Sequence, residues 1–427
     1  MAKERRYWNE EIETMPLEKL KQLQERRLRE VVTQAYEKTA FYRRSFDKAG
    51  VKPEDIKTLD DLKKLPLVHS AEDFRTAPIV DRLAVPFEEV RYVESTSGTT
   101  GIPMALLWSK RDWDAIMELE PRIRWNLGVR PNDVAQILTG FPCCQRGYQE
   151  LGAMVISLNA GRGILDNQIR VGQMVGITVI EHLPSLAIKY LERAEELGYN
   201  IKESPLHLIV GGGEPLAKSY EKEIGEKYGV KFRHMYGSVD ACVVATECEE
   251  SRMHTYMDLL IVEIVDPETG EVLDLGQQGE VVVTLLWPEA TPIIRYRTGD
   301  VGASLLPHEP CPCGITHATM STPKGRLVHS VKITGKRIFP IDVEDVVAST
   351  PDLGADYQVI VDKPGELDRL KVKAEYKPEV KDMAALKKQL EERLSRDLGV
   401  RSEVELVPPG TLGRPLFKAQ RIITTYR

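Results

Sequence analysis

Short apolar segments alternate with helical stretches from about residue 90 onward, and this alternation restricts the fold more than any other feature of the sequence. The strand-like segments read AQILTGF, GITVIEHL, LHLIVGGGE and KFRHMYGS, and the helical stretches between them include SLAIKYLERAEELG and AKSYEKEIGEKYG. A chain that alternates strands and helices forms a sheet with helices packed on its faces. The predicted fold class is therefore α/β.

Three regions depart from this alternation. Residues 17–49 place leucines and valines at near-helical intervals among charged residues, which indicates an amphipathic helical start. Residues 259–305 contain apolar runs separated by glycine-rich turns, which indicates a β-rich subdomain. From residue 341 the order is helix, strand, strand, long charged helix and strand, which is enough for a small α+β domain. We predict two domains, residues 1–328 and 329–427.

Composition excludes several classes of protein. Of 427 residues, 42% are hydrophobic and 29% charged, which excludes a disordered chain. The formal net charge of −7 provides no global basic field for nucleic acid or an anionic membrane, so any anionic ligand has to be bound locally. The N-terminus lacks the apolar core of a signal peptide, and no stretch approaches the roughly 18 apolar residues of a membrane span. We expect a cytoplasmic protein that binds neither nucleic acid nor membrane.

The run STSGTTG, residues 95–101, concentrates hydroxyls and glycines directly after a strand-like segment. Backbone N–H groups that side chains do not block, together with hydroxyls, can hold phosphate with few full charges. The run is not a Walker loop, because the Gly-Lys-Ser/Thr ending is missing and Gly101 is followed by Ile102, Pro103 and Met104. An ordinary polar hairpin is the alternative interpretation of this run taken by itself.

Several further motifs follow this run in a fixed order. They read GGGEPL, HMYGSVDA, YRTGD, KITGKRIFP and GTLGRPLFKAQRI, and they are preceded by RYWNEEIETM, AYEKTAFYRRSFDKAGV and LDDLKKLPL. In this order the chain resembles the adenylate-forming (acyl-CoA synthetase) superfamily, in particular its branch of phenylacetate-CoA ligases and their relatives. The resemblance covers nearly the whole chain. It implies a large adenylate-forming N-terminal domain, with α/β sheets and a β-rich subdomain, and a small mobile α+β C-terminal domain.

The resemblance implies how ATP would be held. A phosphate loop would grip the β- and γ-phosphates, with Thr99 as its catalytic member; its residues are Thr96, Ser97, Gly98, Thr99, Thr100 and Gly101. Many family members carry lysine where this chain has Met104, so the hydroxyls, the backbone and Mg²⁺ would have to supply more of the charge neutralisation. The segment that would lie against adenine comprises Gly212, Gly213, Glu214 and Pro215, and the next motif contributes Tyr236, Gly237 and Ser238, with Tyr236 stacked on the base.

Charged residues would complete the site. The resemblance implies that Asp240 holds Mg²⁺, either directly or through water, at a position where the family usually has glutamate. It also implies that Asp300 accepts hydrogen bonds from both ribose hydroxyls, since a carboxylate has two acceptor oxygens. Arg326 matches an arginine near the domain hinge, although the acidic residue that commonly follows it is absent. Lys418 aligns with the mobile catalytic lysine, which stabilises charge on the attacked carboxylate and α-phosphate. Taken singly, Tyr236 could be a core aromatic, Asp300 a turn residue and Lys418 a solvated charge.

The reaction that the resemblance implies has two steps. A carboxylate attacks the α-phosphate of Mg-ATP to give an acyl-adenylate and pyrophosphate, and coenzyme A then displaces AMP. The partners are thus ATP, coenzyme A and a small carboxylic acid, aryl or arylacetic by resemblance; a homodimer is compatible with the sequence. The alternatives are an adenylyltransferase of the same branch that acts on a deazaflavin-type cofactor, a zinc-stabilised nucleotide-binding module without turnover, and an unrelated α/β protein whose motifs are turns.

Four residues form a candidate metal site away from these motifs. Cys248, His254, Cys311 and Cys313 supply three sulfurs and one imidazole, a set that suits structural zinc, and they flank the β-rich segment. His308 and His317 are the substitute ligands, and buried free thiols are the alternative. A closed four-ligand site leaves no open position for substrate, so we expect no catalytic role.

The stretch GFPCCQRGYQELGAM follows a strand, and by family position it would line the pocket for the acid. Cys143 and Cys144 are consistent with core filling. The substrate candidates are Gln145, Arg146 and Tyr148, and Arg146 could pair with an acidic substituent of the acid.

Overall fold

The structure is a computed structural model that describes residues 6–69, 73–95, 103–138, 142–157, 165–412 and 421–426. The helices are α1 (Glu10–Glu13), α2 (Leu17–Lys38), α3 (Ala40–Ala49), α4 (Ile79–Arg82), α5 (Lys110–Asn126), α6 (Pro142–Leu151), α7 (Leu165–Val175), α8 (Pro184–Glu196), α9 (Lys218–Glu223), α10 (Pro340–Ala348) and α11 (Met383–Leu398). None of these helices is both long enough and apolar enough to cross a membrane.

The strands follow the apolar runs of the sequence. They are β1 (Val68–His69), β2 (Val90–Ser95), β3 (Ala105–Ser109), β4 (Val134–Ile137), β5 (Met154–Ser157), β6 (Val179–His182), β7 (Leu208–Gly212), β8 (Lys231–Ser238), β9 (Cys242–Glu247), β10 (Met253–Thr255), β11 (Leu260–Val265), β12 (Gly279–Leu285), β13 (Tyr296–Ala303), β14 (Thr319–Met320), β15 (Gly325–Arg326), β16 (Val331–Ile333), β17 (Lys336–Ile338), β18 (Leu353–Val361), β19 (Leu370–Tyr376), β20 (Ser402–Val407) and β21 (Ile422–Thr424).

The largest sheet has the order β14-β10-β9-β8-β7-β6-β4-β5 within the described residues. Its strands β5, β4, β6, β7 and β8 are parallel, and β9, β10 and β14 continue the sheet with antiparallel pairing. Helices connect the parallel strands, as a parallel sheet requires. The predicted α/β class is confirmed, and the parallel strands direct their carboxyl ends to one edge of the sheet.

The β-rich region forms a second sheet with the order β1-β13-β12-β11. Strand β1 runs parallel to β13, whereas β11, β12 and β13 pair antiparallel. All seven residues of β12 are buried, so both of its faces are covered. A separate antiparallel pair, β2 and β3, lies on either side of residues 96–102 in the chain, with Glu94 opposite Leu106.

The predicted helical start is two helices with a break at Thr39. The Thr39 side chain accepts a hydrogen bond from the backbone N–H of Tyr42 (3.1 Å) and so caps α3, while its hydroxyl donates to the carbonyl of Ala35 (2.7 Å). Helix α2 buries Leu20, Leu28 and Val32 on one face. A single threonine therefore forms hydrogen bonds both at the end of α2 and at the start of α3.

The chain divides into two compact units. The first comprises Met1–Leu183, Tyr190–Gly213 and Lys231–Pro323, and the second comprises Pro184–Lys189, Glu214–Val230 and Lys324–Arg427. The second unit contains the sheet β20-β19-β18-β21 with α10 and α11, and its core includes Val343, Val372 and Leu390. This is the α+β arrangement predicted from residue 341 onward. The additional strand β21 pairs parallel with β18.

Candidate active site

Glycine-rich and aromatic motifs end two neighbouring parallel strands of the large sheet. Strand β7 ends at Gly212 and β8 ends at Ser238, so both motifs lie at the carboxyl edge, where open α/β sheets bind ligands. The glycines also have local reasons to be glycine. A Cβ at Gly211 would overlap the Phe232 ring, and one at Gly237 would overlap the carbonyl oxygen of Cys242, while Gly213 has a left-handed φ of 82°. Close packing of the backbone therefore fixes this edge.

Tyr236 and Asp300 meet although 64 residues separate them. The Tyr236 hydroxyl donates a hydrogen bond to Asp300 Oδ2 at 3.1 Å, which joins strand β8 to strand β13. The backbone N–H of Asp300 donates to the Thr298 hydroxyl, and Gly299 before it has a left-handed φ of 77°. The predicted adenine-stacking and ribose-binding residues are thus brought together by the two sheets.

Asp240 lies in the turn between β8 and β9 and is 3% exposed. Its Oδ2 accepts a hydrogen bond from the Tyr296 hydroxyl at 2.6 Å and lies 3.4 Å from a guanidinium nitrogen of Arg75. Among the described residues its Oδ1 has no hydrogen-bond partner. A buried acceptor without a partner is costly unless a ligand fills the position, so this oxygen suits a hard cation such as Mg²⁺.

The turn that carries Asp240 is held by its own residues. The Ser238 hydroxyl accepts from the backbone N–H of Ala241 at 3.1 Å, and Cys242 adopts a left-handed φ of 53°, which is uncommon for a residue with a side chain. Beside the turn, the sulfur of Met104 lies 3.5 Å from the Tyr296 hydroxyl and is buried. Ser238, predicted to bind nucleotide, thus has a local structural contact as well.

Three further predicted residues belong to the second compact unit. Glu214 Oε1 accepts a hydrogen bond from the backbone N–H of Ser185 at 2.6 Å, in the first turn of α8. Pro215 follows it and is half-buried, and Arg326 is half-buried in β15. The predicted phosphate loop (Thr96, Ser97, Gly98, Thr99, Thr100 and Gly101) and Lys418 lie outside the described residues.

Two residues that contact Asp240 are not among the predicted site residues. Tyr296 is the first residue of the YRTGD motif, and Arg75 belongs to no motif. Phe74, next to Arg75, is fully buried and makes an edge contact with the Tyr296 ring (5.8 Å between centroids), which holds this segment against β13. The sequence offered no signal for Arg75, because its partner is 165 residues away.

The substrate candidates on α6 separate onto opposite faces of the helix. Arg146 is exposed and pairs with Glu150 at 3.5 Å, whereas Tyr148 is fully buried beneath the guanidinium of Arg124 (5.2 Å to the ring centroid). Gln145 is half-buried. The geometry therefore does not bring Arg146 together with Tyr148.

A buried ionic cluster lies beneath the inner face of α6. Arg124 is fully buried between Glu120 (3.1 Å) and Glu181 (3.0 Å). Burial raises the pKa of Glu120 although Arg124 opposes this effect, and Glu181 raises it further. Gly147 allows the close approach of α6, because a Cβ there would lie 2.7 Å from the Cβ of Glu120. The cluster thus supports the helix that carries the substrate candidates.

The four predicted zinc ligands are all buried and form one cluster. Their ligand atoms lie within 4.8 Å of one another. The sulfurs of Cys248 and Cys311 are 3.8 Å apart, and the Cys313 sulfur is 3.5 Å from His254 Nε2. Tetrahedral zinc with bonds of about 2.1–2.3 Å requires ligand atoms roughly 3.4–3.8 Å apart. The donor set and these two distances fit zinc.

The surroundings of this cluster orient its ligands. His254 Nδ1 donates to the carbonyl of His317 at 2.9 Å, which directs Nε2 toward the sulfurs. His317 contacts backbone groups with both ring nitrogens, and His308 is exposed, so neither substitute ligand joins the cluster. Tyr7 packs on the cysteines and its hydroxyl donates to the carbonyl of Cys313 at 3.2 Å.

Comparison with known proteins identifies the family. The model of the AMP-binding enzyme family matches residues 14–284, and that of the AMP-binding enzyme C-terminal domain matches residues 335–425. The chain belongs to the AMP-binding enzyme family. It is therefore an enzyme with the adenylate-forming fold, and the resemblance expected from the ordered motifs is confirmed.

Relatives in this family align over almost the whole chain. The phenylacetate-coenzyme A ligase of Thermus thermophilus is 33% identical, covering 95% of this chain and 96% of that protein. The enzyme of the same name from Escherichia coli is 32% identical, covering 96% of each chain. A solved structure of 2-hydroxyisobutyryl-CoA ligase in the postadenylation state superposes with a TM-score of 0.91 at 27% identity, covering 100% of this chain and 94% of that chain.

Proposed function

We propose that this AMP-binding enzyme is an ATP-dependent carboxylic acid–CoA ligase that acts on an aryl or arylacetic acid. The observation that carries the proposal is the meeting of Tyr236 with Asp300 and of Asp240 with Tyr296 at the carboxyl edge of the large sheet. The near-complete alignment with phenylacetate-coenzyme A ligases supports the type of reaction and the class of acid.

In the first step the acid carboxylate attacks the α-phosphate of ATP. Tyr236 would stack on adenine next to the glycines of β7. Asp300, which accepts a hydrogen bond from the Tyr236 hydroxyl, would also accept hydrogen bonds from the ribose hydroxyls. We assign contacts with the nucleotide to Glu214, Pro215 and Arg326 as well. The hydroxyls of the 96–101 loop would hold the β- and γ-phosphates.

Asp240 is the residue that fits Mg²⁺, because its buried Oδ1 has no hydrogen-bond partner among the described residues. When bound, the ion would neutralise charge on the phosphates. Tyr296 fixes the other carboxylate oxygen and so orients the one that remains. Lys418 would stabilise the charge that develops on the attacked carboxylate and α-phosphate. We assign adenylation to residues 1–328 and the mobile role to residues 329–427.

We also propose that Cys248, His254, Cys311 and Cys313 hold one structural zinc ion. The donor set, the burial of all four side chains and the ligand-atom distances support zinc. The ion would join the end of β9, strand β10 and the turn at residues 311–314, against which Tyr7 packs. With four protein ligands the site would not take part in the reaction.

Pyrophosphate release tests the proposed reaction. The protein is incubated with Mg-ATP and a panel of aryl, arylacetic and short hydroxy acids, with and without coenzyme A. We expect release that depends on one class of acid, with an acyl-CoA thioester formed only when coenzyme A is present. Acid-dependent release without thioester would indicate an adenylyltransferase instead, and ATP binding without release for any acid would indicate a module without turnover.

A further inference from the structure

Arg75 and Asp240 form a buried ion pair, and none of the roles assigned above involves Arg75. The side chains are 7% and 4% exposed, and their closest nitrogen and oxygen atoms lie 3.4 Å apart. Arg75 reaches this position from a turn that follows β1, and the buried ring of Phe74 anchors that turn against Tyr296. A buried pair of this kind is weak as a source of stability, because desolvation of both charges offsets their attraction.

In the proposed function Asp240 would hold Mg²⁺ beside the phosphates of ATP, so Arg75 would supply positive charge where the first step requires it. A nucleoside triphosphate carries several negative charges, and the buried neighbour Met104, whose sulfur is 3.5 Å from the Tyr296 hydroxyl, supplies no cation. Arg75 is the cationic side chain that the described residues place within 4 Å of Asp240. In a water-excluded site such a charge acts strongly on an anion.

Mg²⁺ binding would change the balance of charge between Arg75 and Asp240. The carboxylate of Asp240 lies beside the guanidinium of Arg75 and offsets part of its positive charge. Mg²⁺ held by Asp240 would reduce this offset, so the positive charge of Arg75 would act more strongly on the phosphates. A guanidinium also matches the geometry of phosphate oxygens.

We propose that Arg75 binds the pyrophosphate portion of ATP and stabilises it as a leaving group in the adenylation step. This inference rests on the proposed function. A carboxylate oxygen forms a bond to the α-phosphorus, and the bond from the α-phosphorus to the bridging oxygen breaks. The electron pair leaves with pyrophosphate, where negative charge increases, and the positive charge of Arg75 compensates that increase. In the second step pyrophosphate is absent, so Arg75 has no role there.

The two steps are measured separately to test this role. We expect R75Q to lower acid-dependent exchange of pyrophosphate into ATP by about 100-fold or more, the size seen when one charge-stabilising group is removed. R75K, which keeps the charge, is expected to lose less. Conversion of a supplied acyl-adenylate and coenzyme A to thioester is expected to stay within about twofold of wild type. Equal losses in both steps would mean that Arg75 is structural, and an unchanged exchange rate in R75Q would overturn the proposal.

A second variant and a binding measurement complete the test. Lysine at position 104 would extend toward the same region, so we expect R75Q/M104K to recover at least tenfold in exchange over R75Q. The control is R44Q, which removes an exposed arginine that pairs with Asp81 at the surface. Calorimetric binding of Mg-pyrophosphate requires no acid and no turnover. Weaker binding by R75Q, with normal binding by R44Q, supports the role even if no acid in the panel is turned over; equal binding by both contradicts it.

Discussion

The surroundings of Glu94 disfavour the charged form of its carboxyl group. It lies on β2 opposite Leu106, one residue before the end of the strand. Burial raises the pKa of its carboxyl to about 7; Trp108 opposes this effect, and the charge of Glu120 adds to it. The carboxyl is therefore partly protonated at neutral pH, next to the segment that would grip the phosphates.

Replacing Glu94 by glutamine should remove a pH-dependent destabilisation. Since the folded protein holds this proton up to pH 7 and an unfolded chain releases it near 4.5, the stability contributed by Glu94 falls as the pH rises between these values. We expect E94Q and wild type to have similar stability at pH 4.5, and E94Q to be more stable by on the order of 2 kcal/mol at pH 8. Urea unfolding from pH 4.5 to 8 measures the difference. The exposed Glu88 provides the control E88Q, and a difference independent of pH would contradict the assignment.

At the scale of elements, the sequence predicted the order of strands and helices because each has its own periodicity. It did not predict which face of α6 is buried, and this decides which of the substrate candidates are exposed. Helix α6 begins at Pro142, and this start places Tyr148 on the buried face and Arg146 with Glu150 on the exposed face. Similarly, the stretch predicted as one helix from residue 217 changes to a π-helix at Ile224.

In the candidate site, too, some contacts could be predicted from the sequence and others could not. The meeting of Tyr236 with Asp300, and of the three cysteines with His254, could be expected because each residue belongs to a motif or a donor set. The contact of Arg75 with Asp240 could not, since it depends on how the segment after β1 packs against β13. Contacts between elements far apart in the chain leave no pattern in a single sequence.

The cysteine cluster makes a prediction at the scale of elements, because it joins β9, β10 and the turn at 311–314. We expect the purified protein to contain about one zinc ion per chain, and C313S to contain little zinc and to unfold at a temperature several degrees lower. Atomic emission measures the zinc and thermal unfolding the stability. Cys143, outside this cluster, provides the matched control C143S, which should retain zinc. Wild type without zinc, or C313S with a full equivalent, would contradict the assignment.

At the scale of the whole molecule, the chain has two compact units with separate cores. The segment that contains Lys418 belongs to the second unit, and described residues on either side of it are well anchored. Before it, the carboxylate of Glu375 accepts hydrogen bonds from the backbone N–H groups of Gly410 and Leu412 (2.8 and 2.7 Å). After it, Arg421 pairs with Glu344 at 3.4 Å and lies over the Tyr357 ring. These contacts attach Leu412 and Arg421, the described residues on either side, to the second unit.

Because the role proposed for Lys418 concerns the adenylation step alone, its loss should affect one step only. K418A should lower acid-dependent pyrophosphate exchange by about 10²–10³-fold, since an ammonium no longer stabilises the charge that develops during adenylation. Thioester formation from a supplied acyl-adenylate should stay within about threefold of wild type, because the α-phosphate is not attacked in that step. The exposed Lys388 on α11 gives the control K388A, which should match wild type in both steps. A loss of equal size in the two steps would show that Lys418 acts throughout the cycle, which would contradict its assignment to adenylation.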